Sequence, residues 1–166
     1  MTESVTIRQA TAADRAAIGR LWRELMEFHY QFDSRAFGLA PNAVDIWLHQ
    51  LDECIADDEH LVLVAKAEDQ LVGYAMGEVS EGRPMFRHGP YGHIGTFCVT
   101  ANWRRRGIGR RMVERLLEWF RARGISEVRV TAWYSNPASN AFWRSLGFQP
   151  KTVGMNLLVD PIADVE

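Results

Sequence analysis

The chain has 166 residues, 47% of them hydrophobic, enough for one domain with a sizeable core; folding buries roughly two thirds of its surface. Its net charge of −2 excludes a general nucleic-acid binder, which is basic overall, and positive charge is gathered instead between Arg104 and Arg115. Two cysteines without CxxC spacing, Cys54 and Cys98, suit a reduced intracellular protein, and no apolar run reaches the ~18 residues of a membrane span.

The start, MTESVTIRQATAAD, lacks the basic and apolar regions of a signal peptide, so the expectation is one cytoplasmic domain over residues 1–166. Val5-Thr6-Ile7 reads as a short strand. Thr11 with Asp14 three residues on is a helix-capping signal, and Ile18, Leu21, Trp22, Leu25 and Met26 follow at helical spacing. A loop over Phe32–Pro41 precedes a second helix with Val44, Trp47, Leu48, Leu51 and Ile55 on one face. His60–Ala67 and Leu71–Val79 read as a hairpin turning near Glu68-Asp69-Gln70. Ser80–Gly92, rich in glycine and proline, is a long loop, and His93–Val99 is the next strand. Ile108, Met112, Val113, Leu116, Leu117 and Phe120 form a helical stripe that stops at Gly124. Glu127–Tyr134 predicts a strand, Asn136-Pro137 opens a helix stopping at Gly147, and Val153–Val159 predicts a last strand. Strands alternating with helices in the second half indicate α/β or α+β architecture.

The densest chemistry lies in Arg104-Arg105-Arg106-Gly107-Ile108-Gly109-Arg110, between a strand and a helix, with Arg111 beside it. Two glycines one residue apart allow a tight turn with exposed N–H groups, and the helix N-terminus adds about half a positive charge. This is a phosphate cradle. It is not a P-loop, because Arg110-Arg111 stands where Lys-Ser or Lys-Thr would manage the γ-phosphate and magnesium. It is not a dinucleotide fingerprint either: Met112 occupies the third glycine position, where bulk obstructs helix–strand packing.

What remains is R/Q-x-x-G-x-G/A after a strand, satisfied by Arg104, Gly107 and Gly109; it resembles the coenzyme-A motif of the GNAT superfamily of N-acetyltransferases. Asn136–Phe148, NPASNAFWRSLGF, is similar to that family's later motif, N-x-x-A-x-x-x-Y-x-x-x-G-F, with Ser139 at the Ala position and Trp143 at the Tyr position. The resemblance implies a single GNAT-like domain with a central mixed, mostly antiparallel twisted sheet of six to seven strands flanked by helices. It implies acetyl-CoA as cosubstrate, with backbone contacts to its arm from Phe97, Cys98 and Val99. The cradle would be Arg104, Arg105, Arg106, Gly107, Ile108, Gly109 and Arg110, with Asn136, Ser139 and Trp143 added from the second motif. In many relatives the Tyr hydroxyl protonates the departing sulfur; the indole of Trp143 is no practical acid.

The implied reaction is direct transfer of acetyl to a primary amine in a ternary complex. An alkyl amine of pKa ~10.4 costs about 4.6 kcal/mol to deprotonate at pH 7, whereas a thiol of pKa ~8.5 leaves as thiolate for about 2 kcal/mol. A base therefore matters more than an acid. His93 is the preferred base: it falls where the histone-acetylating branch of the family has its catalytic Glu, and imidazole suits proton transfer at neutral pH. An extended strand puts His93, Gly95, Phe97 and Val99 on one face over about 20 Å, room for a pantetheine arm. A strand-end histidine satisfied by solvent or a carbonyl is the plainer reading of His93. Glu78 is the alternative base, or a group drawing in a cationic acceptor. Tyr134 and Ser139 are candidate replacements for the acid, and equally ordinary surface hydroxyls. Cys98 has no adjacent His or Asp to make it a nucleophile.

His29, His49, His60 and His88 lack metal-ligand spacing, so no metal is expected. Glu24, Glu27, Asp33 and Glu78 favour a cationic acceptor, a small-molecule or lysine-type amine, shaped by residues 24–41 and 80–92. Phe28, Tyr30, Phe86 and Tyr91 would line that pocket or a dimer contact, homodimers being frequent in the family. The alternative to an enzyme is a non-catalytic acyl-CoA-binding sensor or partner module, suggested by Trp143.

Overall fold

The structure, a computed structural model, describes residues 4–87 and 89–158. They divide into two compact units with the boundary between Thr131 and Ala132. The first holds β1 (Val5–Gln9), α1 (Arg15–Tyr30), α2 (Ala43–Ala56), β2 (His60–Ala67), β3 (Gln70–Ser80), β4 (Tyr91–Val99), α3 (Ile108–Ala122) and β5 (Val128–Val130). The second holds α4 (Pro137–Ser145).

The five strands lie in chain order, β1-β2-β3-β4-β5, antiparallel except for the parallel pair of β4 and β5. This is the mixed, mostly antiparallel sheet flanked by helices that the sequence implies, with five strands among the described residues. The hairpin of β2 and β3 closes on Glu68 and Asp69, with Glu68 in the left-handed region at φ 49°.

Two layers of helix cover the sheet. On one face Ile18, Leu21, Trp22 and Leu25 of α1 and Leu48 and Leu51 of α2 meet Val62, Val64, Tyr74 and Cys98. Trp22 and Trp47 stack at 4.9 Å, and Trp47 meets Tyr74 edge-on at 6.0 Å. On the other face α3 sinks Ile108, Met112, Val113, Leu116 and Phe120, all 2% exposed or less. Phe120 lies so close to β4 that a Cβ on Gly92 would sit 2.6 Å from its ring.

Capping holds the first helix in place. Asp14 accepts from the Thr11 N–H at 2.8 Å and takes a two-pronged ion pair from Arg8 at 2.7 and 2.8 Å. That guanidinium, more than anything else, lowers the buried carboxyl to about 2.

Two elements differ from expectation. The strand read over Glu127–Tyr134 is only Val128–Val130. The strand read over Val153–Val159 is absent among the described residues: 153–158 pair with no strand and are exposed, and Val159 lies outside them. Apolar alternation predicts a strand, but a strand exists only where a neighbour completes its ladder.

Candidate active site

β4 organises the first unit's chemistry. Its register against β3 slips by one residue: Ala75 pairs with Phe97, but Gly77 pairs with Ile94. Gly95 and Thr96 together oppose Met76, which is a β-bulge. Cross-strand partners share a face, so the bulge resets the alternation. His93 follows Glu78 and Cys98 follows Tyr74, both on the α1–α2 side; Phe97 and Val99 follow Ala75 and Gly73 to the other. The expectation that His93, Gly95, Phe97 and Val99 share one face is therefore corrected. His93 shares its face with Cys98.

The bulge also ends the pairing with β5. Only Gly92, His93 and Ile94 ladder with Val128, Arg129 and Val130, and β4 runs on to Val99 past the end of β5. Phe97, Cys98 and Val99 lie on that continuation. The Val99 carbonyl accepts from Arg104 Nε at 2.8 Å.

At the upstream end His93 Nδ1 is 2.8 Å from Glu78 Oε1, with both side chains partly exposed. An ionised carboxylate only accepts, so the Nδ1–H donates and Nε2 keeps its lone pair. In that tautomer Nε2 can accept a proton, and the carboxylate on Nδ1 would steady the resulting imidazolium.

Downstream, the turn into α3 is built from left-handed residues. Gly107 caps α3 at φ 78°, with nothing within 4 Å of where a Cβ would stand, and Arg105 is left-handed at φ 61°. An arginine there costs about 1–2 kcal/mol. Arg104, Arg105, Arg106, Gly107 and Arg110 are exposed, Gly109 is half-buried, and Ile108 is a buried peg into the core. Arg104 lies over the Phe28 ring at 5.0 Å and Arg106 over Trp103 at 4.6 Å. Arg111 turns away and donates to the Val5 carbonyl at 3.1 Å. The N–H groups of a first helical turn, which have no partner within the helix ladder, together with nearby guanidiniums form a donor set that fits a diphosphate.

Burial pushes the Cys98 thiol up to about 12, with Glu24 adding to the effect. It is a neutral core group at physiological pH. His29 is lowered by burial, and among the described residues no set of three or more His, Cys, Asp or Glu could hold a metal ion. His88 lies outside the described residues. Glu27, Tyr30, Phe37 and Leu39 line an open cleft of about 240 Å³ at the end of α1.

In the second unit Asn136 is buried and caps α4, its Oδ1 accepting from the Ser139 N–H at 3.1 Å. Asn140, which sequence reading missed, donates from Nδ2 to the carbonyls of Trp133, Tyr134 and Asn136 and fixes the approach to the helix. Trp143 is buried, edge-on to Phe142 at 5.0 Å and Phe148 at 5.3 Å. Tyr134 is 87% exposed.

Residues 20–148 match the model of the acetyltransferase (GNAT) family. The chain belongs to the GNAT family. Among its GNAT relatives is an aminoglycoside N(6')-acetyltransferase type 1 of Stenotrophomonas maltophilia, 31% identical over 87% of this chain and 86% of that protein. A glucosamine 6-phosphate N-acetyltransferase 1 of Oryza sativa subsp. japonica is 39% identical over 60% of this chain, and the match spans 59% of that enzyme's length. The same fold is seen in AAC(6')-Iy in complex with the bisubstrate analogue CoA-S-monomethyl-acetylneamine, with a TM-score of 0.75 and 17% identity over 95% of this chain and 99% of that chain.

Proposed function

We propose that this GNAT protein transfers acetyl from acetyl-CoA to a primary amine by direct attack in a ternary complex, and that the amine is carried by an amino sugar of the aminoglycoside type. The observation that carries the reading is the Nδ1–H of His93 on Glu78 at 2.8 Å, on the strand that leads into the cradle. The acceptor class draws on the two sugar-acetylating relatives and on the carboxylate of Glu27 beside an otherwise aromatic and apolar cleft.

In this reading the N–H groups at Gly107, Ile108 and Gly109, with Arg105, Arg106 and Arg110, hold the diphosphate of the cosubstrate. The β4 backbone from Phe97 to Val99, beyond the reach of β5, lies along its arm and offers N–H groups to the acyl oxygen. Bound there, acetyl-CoA supplies a thioester-activated acetyl group. His93 Nε2 takes the ammonium proton that would otherwise cost about 4.6 kcal/mol, and Glu78 stabilises the resulting imidazolium. Asn136 and Ser139 act by shaping the start of α4. The thiolate leaves with little help, so Trp143 in place of a phenol is tolerable.

Thiol release from acetyl-CoA tests this with an aminoglycoside carrying a 6'-amine, glucosamine 6-phosphate, a polyamine and lysine- and alanine-terminated peptides. Turnover with an amino sugar at the highest kcat/KM is the expected result. No calorimetric binding of acetyl-CoA and no release with any amine would sink the enzyme reading. Binding without turnover would favour the sensor, to which the buried Trp143 points.

A further inference from the structure

The His93–Glu78 pair does not end at Glu78. β2, β3 and β4 run side by side, with His60 opposite Glu78 and Glu78 opposite His93, so the three side chains form one row across the sheet. Glu78 Oε2 is 3.4 Å from His60 Nε2. His60 Nδ1 is 2.7 Å from Asp57 Oδ2, and Asp57 Oδ1 accepts from the Glu59 N–H at 3.1 Å. The row ends in a carboxylate anchored to backbone.

The base of the row is rigid. Val79 N–H donates to the Glu59 carbonyl at 3.0 Å, tying the approach to β2 against β3. Arg123, the residue that caps the C-terminus of α3, donates to the Asp58 carbonyl at 3.0 Å. A ring between two carboxylates serves both only as imidazolium: with Nδ1–H on Asp57, a neutral His60 would present a lone pair to Glu78. The contact with His60 is among the causes that hold the Asp57 carboxyl below its ordinary range, after the Glu59 N–H.

We propose that Asp57 and His60 are positioning residues for the candidate base. They hold one oxygen of Glu78 so that the other stays on His93 Nδ1, fixing the tautomer whose Nε2 is free to accept a proton. The catalytic part of this rests on the acetyltransfer reading above; the coupling along the row does not. Other groups adjoin the row. Arg129, in register with His93 on β5, is paired with Glu127 at 2.9 Å and lies over Tyr91. From α2, the Cys54 thiol is raised by burial and then by Glu78, Asp57 and Glu53, which keeps it neutral beside the row.

The test is nitrogen-15 NMR of the histidine rings across pH in the wild type, His60→Gln and Asp57→Asn, with amide dispersion as the check of fold. Neutral His93 is expected to carry its hydrogen on Nδ1 in the wild type. His60→Gln removes a cation near Glu78, so the His93 midpoint should move up by roughly half a pH unit and its tautomers should mix. Asp57→Asn should move the His60 midpoint down. If His60→Gln leaves both the midpoint and the tautomer of His93 unchanged, the positioning role is overturned; an Nε2–H tautomer in the wild type overturns it as well. Should His60→Gln fail to fold, Asp57→Asn with an unmoved His60 midpoint decides against it. Transfer assayed in parallel separates the two readings: a wild type that binds no acetyl-CoA and releases no thiol defeats the enzyme while the titration still reports on the row. With an active amino-sugar acceptor, His60→Gln should lower kcat about tenfold and leave KM near the wild-type value.

Discussion

His93 and Cys98 sit on one face of one strand, yet their surroundings assign them opposite characters. His93 is partly open to solvent and backed by a carboxylate at 2.8 Å; Cys98 is closed in the core with its thiol pushed up to about 12. The proposed base is therefore the group whose loss should stop transfer: His93→Gln is expected to cut kcat by about 10²–10⁴, the usual worth of a general base, while acetyl-CoA affinity by calorimetry stays within about twofold. An equal fall in affinity would make His93 a binding residue. Cys98→Ala should leave turnover intact, and intact-protein mass spectrometry after incubation with acetyl-CoA should find no acetyl on Cys98. A stable acetyl adduct at that position would restore a covalent route. Trp143 was readable as a departure from the family motif, but not its surroundings: only the fold brings Phe142 and Phe148 edge-on to it, making it a core ring of the second unit.

Among the elements, the β4–α3 turn separates stability from binding. Arg105 is left-handed without being glycine, so Arg105→Gly should relieve strain and raise stability by about 0.5–1 kcal/mol, after the added freedom of the unfolded chain is discounted. The same change removes a cation of the proposed cradle and should weaken acetyl-CoA binding about three- to tenfold, more at low salt than at high. Calorimetry and denaturant titration on one sample would show both, and a variant that loses stability together with affinity would contradict the strain. Gly92 lies at the other end of the same strand. Its missing side chain admits Phe120, and Gly92→Ala should cost about 1–3 kcal/mol by driving that ring out of place. The turn into α3 was legible in the sequence because glycines announce themselves locally. The bulge at Gly95–Thr96 was not. It depends on the register with β3, and that register decides which residues share a face with His93.

Across the first unit, what could be read in advance was local and periodic: helix stripes, the hairpin turn, the cap at Thr11 and Asp14. What could not was set by pairing across distance, such as the row from Asp57 to His93. The capping carboxylate joins the two kinds, because its local cap was legible and its bond to Arg8 on β1 was not. It also sets an acid limit on stability. Asp14 ionises in the fold with its value lowered to about 2 from an ordinary 3.8, chiefly by the Arg8 bond. A carboxyl lowered on folding stabilises above its unfolded value, and that contribution is lost as pH falls toward the folded one. Arg8 is 39% exposed, so solvent screening reduces the gain to about 1–2 kcal/mol. Asp14→Asn should then lower the melting temperature by about 3–6 °C at neutral pH, and the gap between variant and wild type should narrow steadily as pH is lowered from about 5 toward 3. Thermal melts followed by circular dichroism across that range would show it. A gap that stays constant would mean that Asp14 acts through its shape and neutral hydrogen bonds, and that the ion pair between β1 and the first helix contributes nothing to holding the sheet's outer strand.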